Sequence, residues 1–300
     1  MLNFYQILAK FFEYLIYHED KADETIKKYR YCLNRFFKEI KVNRIEDLTE
    51  ESISNFKITF FRSGKSRDFT KYILITLRQF LKFCRDELRM QVLNPDLIKG
   101  PASGERKRRK RVEFLDKDEL NEYRSAIDIG SLTGLRFRTL VEVMLGSGMR
   151  ISEALSVDYK KIKWRMNNGE WEGETMIVGK GKKERMVFFK NEPHEWIKKY
   201  LAARNDLAEP LFVNHYDRSR LSRHTAIKYF TNLQKKIHTY KHLTSHICRK
   251  TYASNLNENG ANIISIKDLL GHERIATTER HYIGVNEKQL KEVHRKYLQY

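Results

Sequence analysis

Six consecutive cations, Arg106 to Arg111, constrain the fold of this chain more than any other stretch of its sequence. Adjacent charges of one sign cannot be packed into a hydrophobic core, so this run must lie in solvent. The preceding residues, Gly100 to Glu105, include two glycines and a proline, which favour loop conformations. The sequence therefore predicts two domains, 1–99 and 113–300, joined by a basic linker at 100–112. A flexible polycation suits contact with a phosphate backbone, and a nuclear localisation signal or a solvated linker are the alternatives.

The first domain has the periodicity of amphipathic helices. Apolar residues recur there at three- and four-residue spacing, which predicts helices from Leu2, from Asp23, from Thr49 or Glu50, and from Arg67 to Met90. Many of these apolar residues are aromatic and could stack on nucleic-acid bases. At helical spacing, however, an aromatic stripe indicates the core of a helical bundle.

The second domain mixes helices with one segment of strands. Asp116 is expected to cap a helix, and another helix, from about Leu135 to Leu145, is expected to end in the glycine-containing turn at residues 146–150. Between Glu172 and Phe189 the pattern changes to strand, tight hairpin and strand, before helical patterns resume. The predicted fold class is mostly α with a small β-sheet, in which a helical N-terminal domain precedes an α+β domain.

The charge of the chain points to a polyanionic partner. It carries 58 Lys and Arg residues against 39 Asp and Glu, a formal net charge of +19. Nucleic acid is the leading candidate because each neutralised phosphate releases condensed counterions, while an anionic membrane or mere solubility are alternatives. No apolar run reaches the roughly 18–20 residues that span a bilayer, and Lys10 and Glu13 interrupt any secretory signal. We expect a cytoplasmic protein that does not bind membrane.

The three cysteines, Cys32, Cys84 and Cys248, lie far apart in the sequence and form no CxxC pair. They predict neither a disulfide framework nor structural zinc, and no metal site is expected. Cys248 lies close to His246 and Arg249, but nothing in the sequence would activate its thiol. We therefore expect it to be a buried, apolar side chain.

Reactive side chains are concentrated in residues 243–282. His246 and Arg249 are three residues apart and lie on the same side of a helix, while His272 follows a short helix and Tyr282 comes later. Side chains of these types bind phosphate, transfer protons or attack phosphorus. Each of them taken alone could equally be a hydrogen-bonded structural residue.

Two basic groups lie far upstream of this cluster. Arg150 is placed where a glycine-containing turn enters a helix, a position at which backbone N–H groups and a guanidinium can face one anion. Lys180 lies between Gly179 and Gly181 at the predicted hairpin tip. It could reach a neighbouring site or be simply solvated.

Five short motifs follow one another along the chain. They are Gly-x-Arg-x-Ser-Glu at 148–153, Gly-Lys-Gly-x-Lys-Glu-Arg at 179–185, His-x-x-Arg at 246–249, Leu-Gly-His at 270–272, and a later tyrosine. In this order they resemble the motifs of the tyrosine recombinases, also called the phage integrase family. The resemblance covers nearly the whole chain and implies a helical core-binding domain, a basic linker and a catalytic domain.

The resemblance also implies an activity: site-specific DNA recombination through a 3′-phosphotyrosine and a Holliday junction, without metal, ATP or another cofactor. Tyr282 would be the nucleophile, and Arg150 and Arg249 would clamp the phosphorane with their forked guanidinium groups. Lys180 would protonate the 5′-oxygen, and His246 would assist proton transfer at the tyrosine.

Further residues take supporting roles in this scheme. His272 would donate a hydrogen bond to a non-bridging oxygen. Glu153 would orient a basic group of the site, and Lys250 would support the site without touching the phosphate. The residues expected to contact DNA are Arg106, Lys107, Arg108, Arg109, Lys110, Arg111, Lys182 and Lys183. Two positions depart from the family pattern, since Lys250 replaces a usual histidine and Tyr282 lies one residue farther from His272 than is usual. His281 occupies the common position of the nucleophile.

The implied partner is double-stranded DNA carrying a specific site, bound by a homotetramer on two duplexes. Without DNA the protein would be a monomer or dimer. The basic tail from Val285 to Tyr300 would dock into a neighbouring protomer or pack on its own domain. The alternative functions are a DNA-binding relative without activity, a type IB topoisomerase that relaxes supercoils, and a metal-dependent nuclease.

Overall fold

The computed structural model describes residues 3–42, 44–64, 66–100, 113–179, 181, 183–237, 241–275 and 277–278. The chain forms two compact units, Met1–Arg108 and Arg109–Tyr300. All of the predicted linker except Gly100 lies outside the described residues, so its limits stay a prediction. No helix within the described ranges is both long and apolar enough to cross a membrane.

The N-terminal unit contains the four predicted α-helices: α1 Phe4–Tyr17, α2 Asp23–Ile40, α3 Glu50–Arg62 and α4 Arg67–Asp86. The hydroxyl of Thr49 accepts a hydrogen bond from the N–H of Ser52 and caps α3. Helix α4 is shorter than the predicted span to Met90. The helix ends at Asp86, and beyond it Arg89 takes a left-handed φ of 53° while the N–H of Met90 donates to the carbonyl of Cys84, which turns the chain away from the helix axis.

The aromatic stripe of this unit is its core, as its spacing predicts. Phe11, Phe36 and Phe80 are each at most 1% exposed, and the rings of Phe11 and Phe80 meet at 5.2 Å with a T-shaped geometry. Edge-to-face packing of this kind stabilises aromatic cores beyond the burial of their area. The buried rings are therefore not available for stacking on nucleic-acid bases.

The C-terminal unit has seven described α-helices: α5 Lys117–Ser125, α6 Leu132–Ser147, α7 Ile151–Ser156, α8 Asn191–Arg204, α9 Arg223–Gln234, α10 Ser245–Glu258 and α11 Ile263–Leu270. The predicted cap of α5 is confirmed, because Asp116 and Glu119 form a reciprocal capping box. Helix α6 packs against α8 and α10 and buries Val143 and Met144 completely.

Three antiparallel strands complete this unit in the order β1 Lys163–Asn167, β2 Glu170–Val178 and β3 Glu184–Phe189. Strand β1 was missed by the sequence analysis. Its residues are mostly exposed, so it lacks the apolar alternation that identifies a half-buried strand. The predicted fold class, mostly α with a small sheet, is confirmed.

Cys248 on α10 is fully buried, as predicted, and burial raises the pKa of its thiol to about 12. A thiol with so high a pKa is almost entirely protonated at neutral pH and is a poor nucleophile. Among the described residues, no group of three His, Cys, Asp or Glu side chains could hold a metal ion.

Candidate active site

The site begins at the junction of α6 and α7. Gly148 ends α6 with a left-handed φ of 64°, and Arg150 is the N-cap residue of α7. The carboxylate of Glu153 accepts hydrogen bonds from the N–H of Arg150 at 2.8 Å and from its Nη1 at 2.7 Å. Glu153 therefore holds the guanidinium of Arg150 in place, while the Arg150 side chain is still 32% exposed to solvent.

The carboxylate of Glu153 is the centre of the site and is only 3% exposed. Besides Arg150, it accepts hydrogen bonds from Nη2 and Nη1 of Arg185 at 3.0 and 3.3 Å. Nη1 of Arg249 lies 3.8 Å from its Oε2. One buried carboxylate is thus shared by three guanidinium groups, which leaves a net positive charge for an anionic substrate.

Arg249 extends from α10 into the interior and is 1% exposed. Its Nη1 donates to the carbonyl of Gly148 at 2.6 Å, and its Nη2 donates to the carbonyl of Leu270. Through these bonds Arg249 connects the turn between α6 and α7 to the end of α11. Nη2 also lies 3.0 Å from Nε2 of His272, so the structure brings these two predicted residues together.

The contacts of His272 define its tautomer. Since an arginine only donates, Nε2 of His272 accepts from Arg249, and Nδ1 carries the proton shared with Oγ1 of the fully buried Thr278 at 2.8 Å. In this arrangement the imidazole orients Arg249. The hydrogen bond from His272 to a phosphate oxygen stays a prediction.

His246 lies one turn before Arg249 on α10, and its side chain is exposed. Its pKa is lowered, first because part of the ring is desolvated and then because Arg249, Lys250 and Arg150 are nearby cations. A neutral imidazole at pH 7 can accept a proton from a nucleophile. Lys250 is half-buried and follows Arg249 on the same helix.

This lowered pKa predicts the pH dependence of any reaction that uses His246 as a base. The imidazole stays neutral at the ordinary histidine pKa of 6.5, so the rate should begin to fall only as the pH drops below that value. His246→Gln should remove this acid limb and lower the rate about 100-fold. The measurement is the single-turnover rate of that reaction from pH 5 to 8.

A matched control for His246 is His194→Gln. The ring of His194 stacks on Trp171 at 4.6 Å and packs edge-on against Trp164 at 4.7 Å, on the sheet. The His194→Gln variant should still lose rate as the pH drops below 6.5. An unchanged limb in His246→Gln would rule out His246 as the titrating group.

The hairpin between β2 and β3 approaches the same carboxylate. The N–H of Gly179 donates to the carbonyl of Lys183 at 2.7 Å, and a Cβ on Gly179 would lie 3.5 Å from Oε1 of Glu153. Nζ of Lys183, a predicted DNA contact, pairs with the carboxylate of Glu273 at 2.7 Å at the protein surface. The hairpin thus meets the segment that follows α11.

Several predicted site residues lie outside the described part of the chain. They are Arg106, Lys107, Arg108, Arg109, Lys110, Arg111, Lys180, Lys182 and Tyr282. Their roles stay predictions.

Arg185 and Thr278 belong to the site but were not predicted. For Arg185 a signal was present, because the strand alternation that buries Val187 and Phe189 also turns Arg185 inward. For Thr278 the sequence offers no comparable signal, since its contact with His272 depends on how the chain folds after α11.

Gly148 is required by the close packing around Arg249. Its φ of 64° is left-handed, and an added Cβ would lie 2.4 Å from Cδ1 of Tyr252. Gly148→Ala should therefore lower the free energy of unfolding by roughly 2–5 kcal/mol, from backbone strain and overpacking. Gly169→Ala is the control, because Gly169 has a φ of 80° but no atom within 4 Å of an added Cβ. Equal losses in urea unfolding would show that the Tyr252 contact contributes nothing.

Comparison with known proteins identifies relatives of both units. The profile of the Phage integrase family matches residues 113–289, and that of the Phage integrase N-terminal SAM-like domain matches residues 8–87. Tyrosine recombinase XerC of Vibrio cholerae is 29% identical over 284 residues, which cover 91% of this chain and 86% of the relative. XerC of Vibrio vulnificus is 32% identical over 225 residues, covering 73% and 66%.

Solved structures share the fold. A lambda integrase dimer bound to a COC′ core site has a TM-score of 0.73 at 16% identity and covers 95% of this chain and 79% of its own. XerH site-specific recombinase bound to its difH substrate, in a pre-cleavage complex, has a TM-score of 0.68 at 21% identity and covers 92% and 80%.

Proposed function

This chain belongs to the phage integrase family and is a tyrosine-type site-specific recombinase, and from that premise we propose that it cuts and rejoins double-stranded DNA through a 3′-phosphotyrosine. Strands would be exchanged through a Holliday junction. The observation that carries the proposal is the cluster of three guanidinium groups around buried Glu153, one of which, Arg249, also contacts the imidazole of His272. A pentavalent phosphorane is the kind of anion that such a cluster stabilises.

In the proposed first step, the phenolic oxygen of Tyr282 forms a bond to the scissile phosphorus and the bond to the 5′-oxygen breaks. The proton of Tyr282 passes to neutral His246, and Lys180 protonates the leaving 5′-oxygen. The phosphodiester is exchanged for a phosphotyrosine without oxidation or hydrolysis. A 5′-hydroxyl from another strand can therefore reverse the step with no external energy source.

The guanidinium groups have different proposed tasks in this step. Arg150 is exposed enough to donate to the non-bridging oxygens directly. Arg249 is anchored by backbone carbonyls and His272, so it adds fixed positive charge and a rigid base for Arg150. Preorganised charge of this kind need not reorganise during the reaction.

The proposed partner is a DNA duplex with a specific site, and a homotetramer would hold two such duplexes. The net charge of +19 supports a DNA partner, as do the relatives, because the XerH and lambda integrase structures are DNA complexes. We place the additional phosphate contacts in the linker cations from Arg106 to Arg111 and in Lys182 and Lys183.

Covalent capture tests this proposal. Fragments of the genome that encodes the protein are incubated with it in EDTA, and DNA that stays attached under denaturing conditions is sequenced. We expect adducts that converge on one short sequence. Two copies of this sequence on one plasmid should then recombine when the protein is added without ATP.

Each alternative function gives a different result. Cleavage that stops in EDTA would indicate a metal-dependent nuclease. Relaxation of supercoils without exchange between the two sites would indicate a topoisomerase. Sequence-specific binding without any adduct would indicate a DNA-binding relative that lacks activity.

A further inference from the structure

Arg185 on β3 is the one guanidinium of the described cluster to which the proposed reaction assigns no task. Its side chain is 12% exposed and Arg150 is 32% exposed, so Arg150 is the better placed of the two to meet a substrate. Both bind the same carboxylate, Arg150 chiefly through Oε1 and Arg185 through Oε2 of Glu153. The two arginines therefore flank Glu153, one toward solvent and one toward the interior.

The position of Arg185 is fixed from both sides. Its Nε donates to the carbonyl of Leu269 at 3.4 Å, at the end of α11. A Cβ on Gly271 would lie 2.7 Å from Cδ of Arg185, so only glycine leaves room for this side chain. Arg185 thus joins the strand that follows the hairpin to the residues just before His272.

We propose that Arg185 is a positioning residue that keeps Glu153 neutralised when Arg150 turns from this carboxylate to the scissile phosphate. The inference rests on the proposed function, since it concerns the same phosphate. Glu153 is 3% exposed, and a buried carboxylate that loses its partner is strongly destabilised. With Arg185 in place, Arg150 can leave the carboxylate of Glu153 and bind the scissile phosphate at little cost in free energy.

Removal of Arg185 changes this balance in a defined way. Glu153 is then neutralised mainly by Arg150, because Arg249 lies farther away, at 3.8 Å. A stronger pair between Glu153 and Arg150 competes with the phosphate during the reaction. Arg185→Met should therefore slow the chemical step, while DNA affinity, which depends mostly on exposed cations, changes little.

The test is a double-mutant cycle with Glu153→Gln. The rate of covalent attachment to nicked DNA and the DNA dissociation constant are measured for both single variants and for the double variant. We expect Arg185→Met to lower the rate about 30-fold with less than about a threefold change in affinity. In the Glu153→Gln background the same change should cost less than about threefold, because no carboxylate then competes for Arg150.

Two further variants complete the design. Arg185→Lys keeps a cation and should retain the rate within about fivefold. Arg165→Met is the matched control on β1, where Arg165 forms an exposed pair with Glu172 at 3.2 Å, and it should leave the rate unchanged. If Arg185→Met does not unfold cooperatively on heating, Arg185→Gln takes its place in both backgrounds, with the same expected losses.

Three outcomes would overturn the inference. Equal losses from Arg185→Met in both backgrounds would show that Arg185 acts independently of Glu153. A loss of affinity as large as the loss of rate would make Arg185 a DNA contact. Failure of the unchanged protein to form any adduct would remove the proposed function and this role together, whereas the first two outcomes leave the proposed function intact.

Discussion

Replacement of Tyr282 by phenylalanine is expected to abolish covalent attachment of the protein to DNA, a loss on the order of 10⁴-fold or more. Phenylalanine keeps the ring but lacks the oxygen that forms the phosphotyrosine. DNA affinity should change less than about threefold, because the phenol contributes little to the contacts with phosphates. The measurement is the yield of a protein–DNA adduct with a nicked substrate, whose cleaved fragment diffuses away and prevents religation.

The neighbouring His281 makes this test sharper. The resemblance to the tyrosine recombinases implies a nucleophile at position 281, where this chain has His281, and Tyr282 follows one residue later. The two candidate nucleophiles are thus adjacent in the sequence, and each can be replaced separately. His281→Ala should keep adduct formation if Tyr282 is the nucleophile.

A paired exchange separates chemistry from position. The variant His281→Tyr with Tyr282→Phe moves the phenol by one residue, and it should form adducts far more slowly than the unchanged protein. An adduct that persists in Tyr282→Phe and disappears in His281→Ala would assign the nucleophile to His281. A phosphohistidine of that kind is labile in acid, which an acid wash of the adduct would reveal.

The helices were predictable because their signals are local. The spacing of apolar residues in α1 to α4 and the capping box at Asp116 depend only on neighbours in the sequence. The end of α4 was not predictable, because the left-handed turn at Arg89 leaves the apolar pattern unbroken. Strand β1 was missed for a related reason, since its side chains are mostly solvated and only its pairing with β2 makes it a strand.

The sequence motifs indicate a candidate set of site residues but not how those residues are arranged. The motifs identified Arg150, His246, Arg249 and His272, yet nothing local indicates that Arg249 is buried and bound to backbone carbonyls. Such contacts join residues about 100 positions apart and arise only when α6 and α10 pack. Glu153 shows the difference most clearly. Its place near Arg150 follows from helical spacing, while its bond to Arg185 follows from the tertiary fold.

The second large effect is expected at Arg150. Arg150→Lys should lower the rate of adduct formation about 100-fold or more, although the positive charge is retained. A lysine donates from a single nitrogen and cannot pair with Glu153, or afterwards with the phosphate oxygens, through the fixed fork of a guanidinium. The loss should therefore appear in the chemical step, with DNA affinity within about threefold of the unchanged protein.

Replacing Arg150 should affect the free energy of unfolding less than replacing a buried arginine of the cluster. Because the Arg150 side chain is 32% exposed, Arg150→Lys should change the free energy of unfolding by about 1 kcal/mol or less. Arg165→Lys is the control for the same chemical change at an exposed pair on β1, and it should affect neither rate nor stability. If Arg150→Lys kept the full rate, charge alone would suffice at this position. The pairing of Arg150 with Glu153 would then serve only the stability of the fold. Arg249 would have to supply the bidentate contact with the phosphate.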